Sequence, residues 1–126
     1  MRVFKTKNFG RFQRKEKISD AALNEAIARA EQGQIDATLG RHLIKQRISR
    51  AGQGRSGGYR TVIAYRFGDR AVFLFGFAKS ERANIGKLDE HELAATGAWL
   101  LALDTAAIRV ALAAGELKEI TDDGEA

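Results

Sequence analysis

Hydrophobic and polar positions alternate most regularly between residues 57 and 79, GGYRTVIAYRFGDRAVFLFGFAK. Two strand-like runs, 59–67 and 70–79, flank Gly68-Asp69. A two-residue loop with glycine first suits a type II′ turn, so the stretch predicts a β-hairpin. That loop sets Phe67 opposite Arg70, Tyr65 opposite Val72, Ile63 opposite Leu74 and Arg60 opposite Phe77. Alternation then puts Arg60, Val62, Ala64 and Arg66 on one sheet face with Ala71, Phe73, Phe75, Phe77 and Lys79. Arg60 and Lys79 fall at the same end of that face.

The period differs on either side of the hairpin. Residues 43–48, LIKQRI, alternate and predict a third strand, with Leu43, Lys45 and Arg47 on one face. Between it and the hairpin, SRAGQGRSGG at 49–58 reads as a basic glycine loop. Residues 1–6 are a candidate first strand. Phe9 and Phe12, three apart among Arg11, Arg14, Lys15 and Lys17, predict a short basic helix over 7–17. Ser19 is a suitable N-cap for a second helix, with Ile18 as staple to Leu23. Leu23, Ala26, Ile27 and Ala30 are its buried stripe and Gly33 its stop. From Asp89 to about Ala114 a long helix is expected. Leu93, Leu100, Leu103 and Ala107 form one stripe, Leu101, Ile108 and Leu112 another, and Trp99 points elsewhere. A helix apolar on so many sides is deeply buried or meets a second chain, which makes Trp99, Leu101, Ile108 and Leu112 candidate contacts for a partner or a second copy. The class expected is α+β: a small, mostly antiparallel sheet with N-terminal helices packed on it and a long C-terminal helix. Residues 1–120 form one domain and 121–126 an acidic tail expected to fray.

Charge refines this picture. The chain of 126 residues has a net charge of +5, unevenly spread. Between Arg41 and Arg82 stand ten Lys/Arg and two acids, whereas from Asp89 onward there are nine acids and two bases. A basic body with an acidic C-terminal segment suits a polyanionic partner, against the plainer alternative of a solvated surface. There is no cysteine, hence no disulfide and no thiolate site. The basic N-terminus lacks the apolar run of a signal peptide, so a cytoplasmic protein without a membrane span is expected. GQGRSG formally fits G-x-G-x-x-G, but a strand rather than a helix follows it, which excludes the dinucleotide reading. His91-Glu92 begins like a zinc-hydrolase motif, yet Ala95 occupies the place of the second histidine. No metal and no cofactor is expected.

What remains is a set of strand-borne cations: Lys45 and Arg47 on one strand, Arg60 and Lys79 on the hairpin. Arginine can hold a phosphate bidentately and stabilise charge developing on it. A lysine crowded by other cations has a lowered pKa and can transfer protons. Such a site could help an RNA 2′-hydroxyl attack its adjacent phosphate, with Phe75 or Phe77 as a stacking surface or as core. The order of short basic helix, second helix, K-x-[KR] strand, basic glycine loop, GYR strand and F-x-K strand resembles the RelE/HigB-like toxins of type II toxin–antitoxin systems. GGYR at 57–60 and FGFAKSERANI at 75–85 most resemble the HigB-like branch. The resemblance implies a metal-independent, ribosome-associated mRNA endonuclease silenced by a cognate antitoxin. It implies catalytic roles for Arg60, Lys79, Lys45 and Arg47, with Arg41, Arg50, Arg55, Arg66 and Arg82 as further RNA contacts. ParE-like relatives on the same fold act on DNA gyrase, so a gyrase inhibitor and a non-catalytic binding module stand as alternatives.

Overall fold

A computed structural model of the chain describes residues 1–50, 54–79 and 86–121. The chain begins with β1 (Arg2–Thr6), α1 (Lys7–Glu16) and α2 (Asp20–Glu31). Four strands follow: β2 (Ala37–Gly40), β3 (Leu43–Arg50), β4 (Gly54–Arg66) and β5 (Arg70–Ala78). It closes with α3 (Lys87–Ala102), α4 (Thr105–Ala113) and β6 (Leu117–Ile120). The strands join in the order β2-β3-β4-β5-β1-β6. β1 runs parallel to β5, with Phe4 opposite Val72, and antiparallel to β6. The sheet is therefore mixed, with one parallel pairing among antiparallel ones, because the first strand inserts between β5 and the last.

Both faces of the sheet are covered. α1 and α2 pack on one face, where Phe9, Leu23, Ile27, Ile44, Ile63 and Phe73 form a core. α3 and α4 cover the other with Leu43, Val62, Leu74, Leu100, Leu101 and Ile108. Each helix follows from local chemistry. The Ser19 hydroxyl accepts the Ala22 N–H at 3.1 Å, and the stripe Leu23, Ala26, Ile27 and Ala30 is buried, as its spacing predicts. In α1, Phe9 lies against Phe73 with ring centroids 5.0 Å apart. Beside it, Phe12 occupies the space above Gly76, where a Cβ would collide with its ring.

The hairpin differs from its expected register near the turn and matches it at the far end. Arg66 pairs with Arg70, Tyr65 with Ala71 and Ile63 with Phe73, so the loop is Phe67-Gly68-Asp69 rather than two residues. Asp69 N–H closes the turn on Arg66 O at 3.0 Å, with Gly68 at φ +69°, a conformation glycine adopts at little steric cost. A shift between Val62 and Ile63 then makes Leu74 an extra residue, and Val62 pairs with Phe75 and Arg60 with Phe77. The bulge turns Ala71 and Phe73 onto the α1/α2 face, away from Arg60, and leaves Leu74, Phe75 and Phe77 with it. The expected loop at 49–58 is also shorter than read, since β3 runs through Arg50 and β4 starts at Gly54.

The single long C-terminal helix does not form. Leu103 is extended, and the Asp104 carboxylate accepts the Ala107 N–H at 2.8 Å, starting α4 after a bend of 114°. Arg70 closes the end of α3 by donating from Nη1 to the carbonyls of Leu100 and Leu103, both at 2.9 Å. Gly97 seats α3 on the sheet, because a Cβ there would lie 3.0 Å from that of Ala64. β6, which the residue pattern did not announce, pairs with β1 and is pinned by Arg2, whose guanidinium donates to Glu119 at 2.8 and 2.9 Å. Among the described residues no single helix is long and apolar enough to cross a membrane. Within the expected acidic tail, Thr121 accepts a hydrogen bond on its carbonyl from Asn24 at 2.6 Å, and residues 122–126 lie outside the described residues.

Candidate functional site

Pairing across β3, β4 and β5 places the expected cations side by side. Arg47 stands opposite Arg60, which stands opposite Phe77, and one row on are Lys45, Val62 and Phe75. Residues paired directly across strands share a face, so Lys45, Arg47 and Arg60 project on the α3 side of the sheet. Lys79 follows Phe77 by two positions, and its N–H donates to Gly58 O at 2.9 Å, which extends the pairing past the end of β5. Arg60 is 5% exposed, whereas Lys45 is half-buried and Arg47 and Lys79 are open to solvent. The Arg60 guanidinium donates from Nη1 to Tyr59 O at 3.5 Å.

Electrostatics register the crowding. The Lys45 ammonium is held below the ordinary lysine value by burial first, then by Arg60, Arg47 and Lys79, against a weaker opposing pull from Glu90. Burial and Arg47 likewise lower Arg60, opposed by Asp36. The other three cations thus act together on Lys45.

A buried polar scaffold fixes the strand that carries two of them. Gln46 is fully buried and points to the α2 side, where Nε2 donates to Ala26 O at 2.9 Å and to Gln34 O at 3.2 Å. Its Oε1 accepts the Asp36 N–H at 2.7 Å. The Asp36 carboxylate in turn accepts the Arg47 N–H at 2.7 Å and Arg29 Nη1 at 3.2 Å. Burial pushes the Asp36 carboxyl up, but the Arg47 N–H and the Arg29 guanidinium outweigh it and hold it below the usual carboxylate range. α2 and the segment before β2 therefore set the position of the Arg47 backbone. Neither Asp36 nor Glu90 stood out in the sequence. Asp36 precedes a four-residue strand too short to show a period, and Glu90 reads as an ordinary acid in the first turn of a helix.

The other expected RNA contacts do not all join this cluster. Arg41, with φ of +51°, sits in the β2–β3 turn, and Arg66 pairs with Asp69 at 2.8 Å beside the hairpin turn. Arg66 lies six positions along the strand from Arg60, roughly 20 Å at strand rise. Arg50 ends β3 and Arg55 lies in β4 near its start. Arg82 lies outside the described residues. Of the expected contact residues, Leu101 and Ile108 are core, at 3% and 1% exposure, and Leu112 is half-buried. Trp99 alone of the four is open, at 64%. It stands with Val110 at the lip of an apolar groove between α3 and α4. Among the described residues, no three His, Asp or Glu side chains gather as a metal site.

A mixed sheet with helices on both faces and a cluster of cations across β3–β5 defines a small α+β protein with a cationic surface. The family model described as the RelE toxin of the RelE/RelB toxin–antitoxin system matches residues 1–120, and the chain belongs to that family of toxins. Membership brings a cognate antitoxin as partner. No curated protein and no solved structure matches the chain.

Proposed function

We propose that this toxin is an endoribonuclease of the HigB-like branch that stops translation by cutting mRNA on the ribosome, in the cytoplasm. The observation that carries the reading is the row Arg47–Arg60–Phe77, with Lys45 and Lys79 beside it and the Lys45 ammonium destabilised by burial first and then by its cationic neighbours. In this reading Lys45, as the neutral amine, takes the proton from a 2′-hydroxyl. The 2′-oxygen forms a bond to the adjacent phosphorus, and the bond to the 5′-oxygen breaks. Arg60 and Arg47 hold the non-bridging oxygens as negative charge builds on them, and Lys79 gives the leaving oxygen its proton. The products are a 2′,3′-cyclic phosphate and a 5′-hydroxyl. Phe77, paired with Arg60, is core at 5% exposure, so the half-buried Phe75 one row on is the ring left to meet a base.

Arg60→Ala tests it directly. Removing the buried guanidinium lowers the cleavage rate by about 10²- to 10³-fold, the usual cost of losing a donor to a transition-state oxyanion. The assay is single-turnover cleavage of translated mRNA by purified ribosome complexes. Unchanged cleavage with Arg60→Ala, or intact mRNA with an active wild-type toxin, would refute the assignment. A gyrase supercoiling assay on the same preparation separates the ParE-like alternative, since a nuclease leaves supercoiling unaffected.

A further inference from the structure

β2 starts too late to pair with Arg47. Its pairing with β3 begins at Ala37 opposite Lys45, and the same register carried back would set Ile35 opposite Arg47. In an antiparallel ladder the N–H and C=O of one residue point to the same edge, so a longer β2 would bond both groups of Arg47. Two side chains stand in for it. The Asp36 carboxylate accepts the Arg47 N–H at 2.7 Å, and Arg29 Nη2 donates to the Arg47 carbonyl at 2.5 Å. Arg29 Nη1 joins the two by donating to the same Asp36 oxygen at 3.2 Å, while Nε donates to Glu25 at 2.7 Å. Every nitrogen of this buried guanidinium is engaged. Its donors leave a rigid plane in fixed directions, so α2, the segment before β2 and β3 hold one another in place. A strand margin without such bonds opens locally, and a side chain carried on it loses the tolerance of about 0.5 Å that a reacting site needs.

We propose that Arg29 is a positioning residue for Arg47: with Asp36 it replaces the missing strand and fixes the direction in which the Arg47 guanidinium leaves the sheet toward the phosphate. Arg29 is 9% exposed and sits on α2, so it acts through Arg47 rather than on RNA. The role rests on the nuclease reading, which supplies the reaction, and adds a residue outside the cation cluster. Asp36 is the less suitable member to vary, because its charge also favours the charged form of Arg60.

The test is Arg29→Lys, which keeps the charge beside Asp36 but has no fork to reach the Arg47 carbonyl as well. In single-turnover cleavage of translated mRNA its rate falls by about tenfold or more. The Kd for a 2′-O-methyl oligonucleotide stays within about twofold of the wild type, because a misdirected Arg47 still attracts phosphate by its charge. Added to Arg47→Ala, the substitution slows cleavage no further, since the side chain it acts through is gone. A general structural role would slow both backgrounds alike. If Arg29→Lys does not fold, Arg29→Gln enters the same cycle, because Glu25 and Asp36 both retain solvent access once the cation is removed. A wild-type rate in the single variant, or an equal further loss in the Arg47→Ala background, overturns the proposal alone. RNA left intact by the wild-type toxin overturns the nuclease reading and this role with it.

Discussion

At the scale of single residues, burial and charge act on Lys45 in the same direction. Desolvation and three neighbouring cations all disfavour its ammonium, so the neutral amine is populated at lower pH than in an ordinary lysine. The sign for stability follows. The folded state carries the penalty while Lys45 is charged, below its lowered pKa, and loses it as pH rises through that value. For catalysis the same shift supplies a base. The single-turnover cleavage rate is expected to rise with pH over a range below the ordinary lysine pKa. Lys45→Arg keeps the charge but cannot deprotonate, and should lower the rate by about 10²- to 10⁴-fold while flattening that limb. The check is a pH–rate profile with uncatalysed RNA hydrolysis subtracted. An identical rising limb in Lys45→Arg would assign the base elsewhere. Gln46, one residue along the strand, shows the opposite use of a buried polar group. Its amide is satisfied on the α2 side by Ala26, Gln34 and Asp36, and so it fixes the strand rather than meeting a ligand.

At the scale of elements, caps and bulges decided what periodicity did not. α2 was legible because its N-cap, its stripe and its stop glycine agree at the correct spacing. The hairpin was legible in existence and in the Arg60–Phe77 pairing, but not near the turn. One extra loop residue and one bulged residue compensate each other, and an alternation argument carries no sign of either. The C-terminal helix was misread because Leu93–Leu112 stays apolar across the break. The signal was Asp104, a good N-cap lying inside an apparently continuous helix. That cap is expected to matter locally. Asp104→Ala should cost about 1 kcal/mol and speed amide exchange in α4, leaving α2 protected as before. Hydrogen-exchange mass spectrometry reads both. Equal protection in α4 would mean that the corner is held by Arg70 and core packing alone. Of the candidate site, the identities of the four cations were legible, since strand position and face follow from alternation. Asp36 and Glu90 were not, because they reach the cluster from a short strand's approach and from a helix across the sheet. Only the tertiary fold brings those together.

At the scale of the whole molecule, the topology separates two surfaces of opposite character. The open end of β3–β5 carries Lys45, Arg47, Arg60 and Lys79, while the α3–α4 groove is lined by apolar residues together with Asp89, Glu92 and Glu116. If the cationic end is where RNA binds, its electrostatic contribution must be localised rather than spread over the basic chain. Each phosphate neutralised on a single strand releases counterions, and log Kobs then falls with log salt by about 0.7 per contact. Arg47→Ala and Lys79→Ala should therefore each reduce the slope by roughly 0.7, measured with a 2′-O-methyl oligonucleotide that cannot be cleaved. Arg66 makes the informative comparison, because it is equally cationic but is paired with Asp69 at the hairpin turn. Arg66→Ala should leave the slope unchanged. An equal reduction in all three variants would mean that RNA responds to the net charge of the chain, and the assignment of the β3–β5 end as its seat would fail.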